Sequence, residues 1–215
     1  MSSAALRSAI VFTVASLVVG ACGSHKSQSS GSGTTRSSVG SRPPVAVVAG
    51  TPIPRSFFEK GLMIKVAAYR RAFGASSLDA AALRRLRDET LTGLVRDIVV
   101  VLEAHRLHLA PTKAGALNVI TEHSGLIPIL YERLYSFAAR GVPPPRNARI
   151  RAALAQGIDP DYIGSVLTRR EVLLYNRWMA ARDRVATAWF KRLFRRYARR
   201  TEYAAGFRPS ARVGG

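Results

Sequence analysis

From Asp79 to Leu109 one apolar face is repeated without a proline: Leu83, Leu86, Leu91, Leu94, Val95, Ile98, Val99 and Leu102 recur at helical spacing, and Pro111 ends the run. Only a helix turns that spacing into a continuous side. A helix this long and this amphipathic must have its apolar side covered by the rest of the chain, so the fold is expected to be mainly α.

The neighbouring segments repeat the pattern between breaks. Phe57, Phe58, Leu62, Lys65, Val66, Tyr69 and Phe73 mark an earlier helix, with Pro54 suited to its first turn and Gly74 to its stop. After Pro111, Thr112 is expected to cap a helix carrying Leu117, Val119 and Ile120. Gly125 separates that from a helix over 127–139, and Gly141 with Pro143, Pro144 and Pro145 forms a break. A short helix is expected over 150–155. Asp159, Pro160 and Asp161 read as a restart, leading into a last long helix or pair of helices with Tyr162, Ile163, Val166, Leu167, Leu173, Leu174, Trp178, Val185, Trp189, Phe190, Leu193, Phe194 and Tyr197. Only residues 45–53, small and apolar ahead of Gly50 and Thr51, suggest a short strand and turn.

The amino terminus has a different logic. Arg7, the apolar run 10–19, and then Gly20, Ala21 and Cys22 form the three parts of a secretory signal, and the apolar run is short of the roughly 20 residues that a spanning helix needs. Val19, Gly20, Ala21 and Cys22 resemble the lipobox of bacterial lipoproteins, in which the cysteine is diacylated and the chain is cut just before it. Cys22 is the only cysteine, so it has no disulfide partner, and lipidation accounts for it. Residues 23–44 hold no large hydrophobic side chain and are expected to form a disordered tether. A flexible chain reaches roughly 5–6 Å times the square root of its residue number, which sets the folded part on the order of 25 Å from the bilayer. The expected organisation is therefore a signal peptide at 1–21, a lipidated cysteine and tether at 22–44, one helical domain at 45–208, and a disordered tail at 209–215.

The chain carries 33 Lys and Arg against 13 Asp and Glu, a formal charge of +20. Such a surplus raises nucleic acid first, through counterion release, but export argues against that partner. Outside the cell the anionic candidates are lipid headgroups and wall polymers. The plainer reading is a solvated, arginine-rich surface.

The order of elements resembles the amino-terminal helical chaperone region of the SurA and PrsA group of extracytoplasmic foldases. The opening strand, the turn at Gly50, Ile53 and the helix containing Phe57, Phe58 and Glu59 carry the likeness best. The long helix 83–109 followed by Ala110, Pro111 and Thr112, the segment from Gly157, Ile158 and Asp159, and the closing helix 189–201 extend it over most of 45–208. Members of that group usually insert a parvulin-type prolyl isomerase domain before the closing helix. Here Arg184 and Val185 run straight into Ala186, Thr187 and Ala188. The resemblance thus implies a chaperone lobe without its isomerase, which binds and does no chemistry.

The remaining motifs point the same way. His105 and His108 are three apart but lack a third ligand and the Glu of a metalloprotease helix, so a solvated or capping role is expected, with no metal and no cofactor. No nucleophile elbow or phosphate-binding glycine loop is present. Phe57, Phe58, Tyr69, Phe73, Tyr131 and Tyr135 are the candidates for lining a groove that takes apolar peptide, against their ordinary role as core. Lys191, Arg192, Arg195, Arg196, Arg199 and Arg200 surround the last aromatic stripe and are the candidates for an anionic surface. The expected function is a non-enzymatic, chaperone-like protein held by a lipid anchor on the outer face of the cell membrane, with unfolded or nascent exported polypeptides as partners. The alternatives are a foldase that retains prolyl isomerase activity and an envelope structural protein that binds anionic lipid or wall polymer.

Overall fold

The computed structural model describes residues 42–74, 78–110, 114–158 and 162–210, all within one unit, Gly40–Gly215. Cys22, the expected signal segment, most of the expected tether, Thr112, and the expected restart at Asp159, Pro160 and Asp161 lie outside the described residues.

The chain enters through a hairpin. Strand β1 (Ala46–Val48) pairs antiparallel with β2 (Thr51–Ile53), with Ala46 opposite Ile53. Ala49 and Gly50 make the turn at φ 47° and 87°, the left-handed pair that a tight hairpin needs for the twist of its strands and that Gly50 adopts without strain. A third strand, β3 (Thr201–Tyr203), lies antiparallel on the other edge of β1, giving the order β2-β1-β3. The sequence pattern offered no sign of β3. Three residues are too few to show alternation, and the strand exists because the last helix delivers them to an open edge of β1.

Helix α1 (Arg55–Phe73) follows Pro54 and stops at Gly74, whose φ of 87° suits glycine. Helix α2 (Ala80–Arg106) starts where Asp79 Oδ1 accepts from the Ala82 amide at 2.6 Å. It ends in a Schellman closure: His108 sits at φ 55°, and the Leu109 amide donates to the Ala104 carbonyl at 2.8 Å. Helices α3 (Ala116–Glu122), α4 (Leu126–Ala138), α5 (Ala148–Ala155) and α6 (Ile163–Val166) are short. The last, α7 (Arg169–Ala198), is one unbroken helix of 30 residues, about 45 Å long at 1.5 Å per residue. It opens on a capping box in which Thr168 and Glu171 satisfy each other's backbone amides. The fold is mainly α, as expected.

Two cores form along α7. The larger gathers β1, β2, α1, α2, α3, α4 and the second half of α7, around Val95, Ile98, Val99, Leu130, Leu134 and Leu193. The smaller holds Ile150, Ala153, Ile163, Leu167 and Tyr175, where α5 and α6 meet the first half of α7. Several apolar residues at helical spacing are not core: Leu83, Val166, Leu173, Leu174 and Val185 are exposed. The segment after β3 is held against α1 and α2 as far as Ser210. Phe207 meets Phe58 edge-on at 5.5 Å and lies under the guanidiniums of Arg55 and Arg87, while the Ser210 amide donates to Asp88 Oδ2 at 3.0 Å.

Candidate functional site

Helix α1 covers α2 with one side only. Gly61 permits the close approach, since a Cβ there would sit 3.3 Å from Thr90 Cγ2. Phe58 is its one buried residue, and Leu62 packs beside it. The opposite side is open and mixed: Met63 is 66% and Ile64 61% exposed, exposed Ala67 and Ala68 follow one turn on, and exposed Lys60, Arg70 and Arg71 share that side. These residues lie outside the stripe that helical spacing marks. The signal was present as two adjacent large apolar residues lying off the stripe of Phe58, Leu62 and Val66.

The six aromatic candidates do not share one groove. Phe58 is buried in the larger core, and Phe57 is partly buried against it. These two therefore drop out as peptide contacts, because the sheet and the Phe207 segment cover that end of α1. Tyr69 and Phe73 pair at 4.8 Å near the other end of α1, with Phe73 67% exposed. Tyr131 and Tyr135 serve the contact between α4 and α7. Tyr131 packs near Phe190 at 6.0 Å, and the Tyr135 hydroxyl donates to Asp183 Oδ1 at 2.5 Å. Burial, then the bond to Asp183, pushes the Tyr135 hydroxyl above its ordinary pKa.

Two carboxylates of α2 are shifted in opposite directions. Glu103 is fully buried. Arg106 donates to it through Nη2 at 2.7 Å and Nε at 2.9 Å, Arg196 reaches Oε1 from α7 at 2.7 Å, and the Tyr197 hydroxyl donates at 3.4 Å. Burial pushes this carboxyl up, but the two guanidiniums outweigh it and hold the group below its ordinary value. Asp97 behaves oppositely: burial pushes it up to about 7, against the pull of Lys65 on α1 and its neighbour Arg96. Glu103 was legible in the sequence, since it lies four and eight residues after Val99 and Val95, on the core face.

All six basic candidates, on the second half of α7 and just beyond its end, are exposed, but they are not equivalent. Arg196 is engaged with Glu103 and leaves the anionic-surface set, while Arg200 stacks over Tyr197 at 5.7 Å. Lys191, Arg192, Arg195 and Arg199 remain directed to solvent.

His108 occupies the left-handed position that closes α2, and the Nε2 of half-buried His105 makes no hydrogen bond. Among the described residues no three His, Cys, Asp or Glu side chains gather, and no helix is long and apolar enough to cross a membrane. A shallow surface depression of about 430 Å³ lies beside Leu109, Ile129, Arg133 and Phe137. Comparison of the chain with models of protein families, with characterised proteins and with solved structures gives no match.

Proposed function

We propose that this protein is a non-catalytic, chaperone-like binding protein of the cell envelope, anchored through Cys22, that holds apolar segments of newly exported polypeptides on the outer face of α1. The observation that carries the reading is the exposed pair Met63 and Ile64 with Ala67 and Ala68 beyond it. Unbranched, polarizable methionine adapts to varied partners, and a large aliphatic pair in water gains by being covered. The face is open and without an enclosed cavity, which suits a segment of chain better than a small molecule. Lys60 and Arg71, exposed beside it, favour clients whose apolar segments carry acidic flanks. The likeness to the chaperone region of extracytoplasmic foldases supports the same reading, with α7 continuous through Arg184, Val185 and Ala186, where those proteins insert their isomerase.

The test is suppression of aggregation of an unfolded client by the full chain. The wild type slows aggregation at a few-fold molar excess, and the double variant Met63→Asp, Ile64→Asp loses the effect with an unchanged melting curve. Equal protection by both proteins removes α1 as the site. Catalysed isomerisation of a proline peptide replaces the non-catalytic reading.

A further inference from the structure

We infer that the outer face of α7 is a docking surface for an anionic membrane, along which the whole helix lies flat. Arg170, Arg177, Arg184 and Lys191 follow one another at seven-residue spacing, which returns each to nearly the same side after two turns with a drift of about 20° per step. Arg195 and Arg199 carry the row to the end of the helix, so the cations span about 45 Å at 1.5 Å per residue. All six are exposed. The two carboxylates of α7 lie off this row and are engaged within the fold: Glu171 in the capping box with Thr168, and Asp183 with the Tyr135 hydroxyl. The charges of the outward face are thus all positive over its length.

Its apolar residues choose the partner. Leu173, 55% exposed, and Val185, 40% exposed, stand among the guanidiniums, with Leu174 and the small Ala180 and Ala188 also open to solvent. A dissolved polyanion would neutralise the cations but gain nothing from the leucines and valine. The boundary between headgroups and acyl chains takes both, with arginine stems lying along it and their charges at the phosphates. The end of the fold that receives the tether also fits. The Val45 carbonyl accepts from the Ala204 amide at 3.0 Å, and the Ala49 amide donates to the Arg200 carbonyl at 2.7 Å. The entry of the chain is therefore beside the carboxyl-terminal end of α7, and an anchor at Cys22 would bring that end to the bilayer first. This surface is separate from the client face of α1, and neither depends on the other.

The experiment is co-sedimentation of the full chain with vesicles of phosphatidylcholine alone and with about one-third phosphatidylglycerol, at low and high salt. The wild type binds the anionic vesicles more tightly, and the difference shrinks with salt. Replacing Arg177, Arg184, Lys191 and Arg195 together by Gln lowers the anionic component on the order of 10³-fold, taking each cation near the surface as contributing about a factor of five. A matched variant with Arg70, Arg71, Arg84 and Arg85 replaced by Gln removes the same charge from α1 and α2 and keeps the binding. Leu173→Ser with Val185→Ser weakens vesicle binding but leaves the binding of inorganic polyphosphate unchanged. Equal losses in the two four-residue variants overturn the assignment to α7. Vesicle binding indifferent to the Leu173 and Val185 changes overturns the membrane in favour of a soluble polyanion. Wild-type binding that is the same on both vesicle types overturns the proposal altogether.

Discussion

At its start α7 is held by a small core of five buried residues and a capping box; at its end it is held by a core that draws on both strands of the hairpin, on α1 to α4, and on the buried ion pair from Arg196 to Glu103. Each fully buried Val, Leu or Ile contributes roughly 1.5–3 kcal/mol. A handful of such residues scarcely offsets the chain entropy of α5, α6 and the turns between them, whereas the larger core has a surplus. The lesson concerns cooperativity: the single helix links two regions of unequal stability, and the weaker one is expected to open first.

The largest effect separates the two cores. Ile98→Ala should lower global stability in urea by about 2–4 kcal/mol. Ile150→Ala should leave the main urea transition almost in place while amide exchange across 148–166 accelerates. A common shift of the main transition in both variants would make the molecule one cooperative unit and end the comparison.

The ion pair comes next. Glu103→Ala should cost about 2–3 kcal/mol, below the full penalty for a broken buried pair because Arg106 and Arg196 are half exposed and can turn to water. A double-mutant cycle with Arg196→Ala measures the bond between α2 and α7. Additive losses would show that the pair does not fasten the helix.

Asp97 gives the larger core a pH dependence opposite in direction to that of Glu171 at the start of α7, whose carboxyl the bonds from Thr168 hold below its ordinary value. The Asp97 carboxyl is raised from 3.8 to about 7 in the fold, so between those values the folded chain keeps a proton that the unfolded chain releases. Its contribution is fully present below about pH 4, declines as pH rises to about 7, and is absent above. Asp97→Asn should therefore raise stability at pH 8 by on the order of 2 kcal/mol and flatten the profile between pH 4 and 7. Thermal melts over that range check it; a parallel profile for the variant would assign the slope to another group. The smallest effect is Thr168→Ala, which should cost about 1 kcal/mol, read as faster exchange at the start of α7 with the α2 amides unchanged.

The helices were legible because each carries its own punctuation. Asp79 and Gly74 sit at observed helix ends, and the apolar period of α2 is borne by one face. The capping box of Thr168 and Glu171 was equally readable, a Thr followed three residues later by Glu, yet it lay within what read as a continuous apolar pattern. The open pair Met63 and Ile64 was harder, because helical spacing records which residues share a side and not which sides find a neighbour. Leu83, Leu173 and Val185 show the same limit: each has the period of a core residue and lies in water.

The sequence by itself determined where the backbone turns helical and where it breaks, since propensity, caps and period act over a few neighbouring residues. It also determined the lone Cys22, the polar stretch after it, and the charge of +20. The tertiary structure alone decided that Thr201, Glu202 and Tyr203 form a strand, that Glu103 meets Arg196 across α2 and α7, and that the row from Arg170 to Arg199 faces outward. Each of those depends on contacts between residues far apart in the chain, and local periodicity carries no information about which distant surface arrives to cover which face.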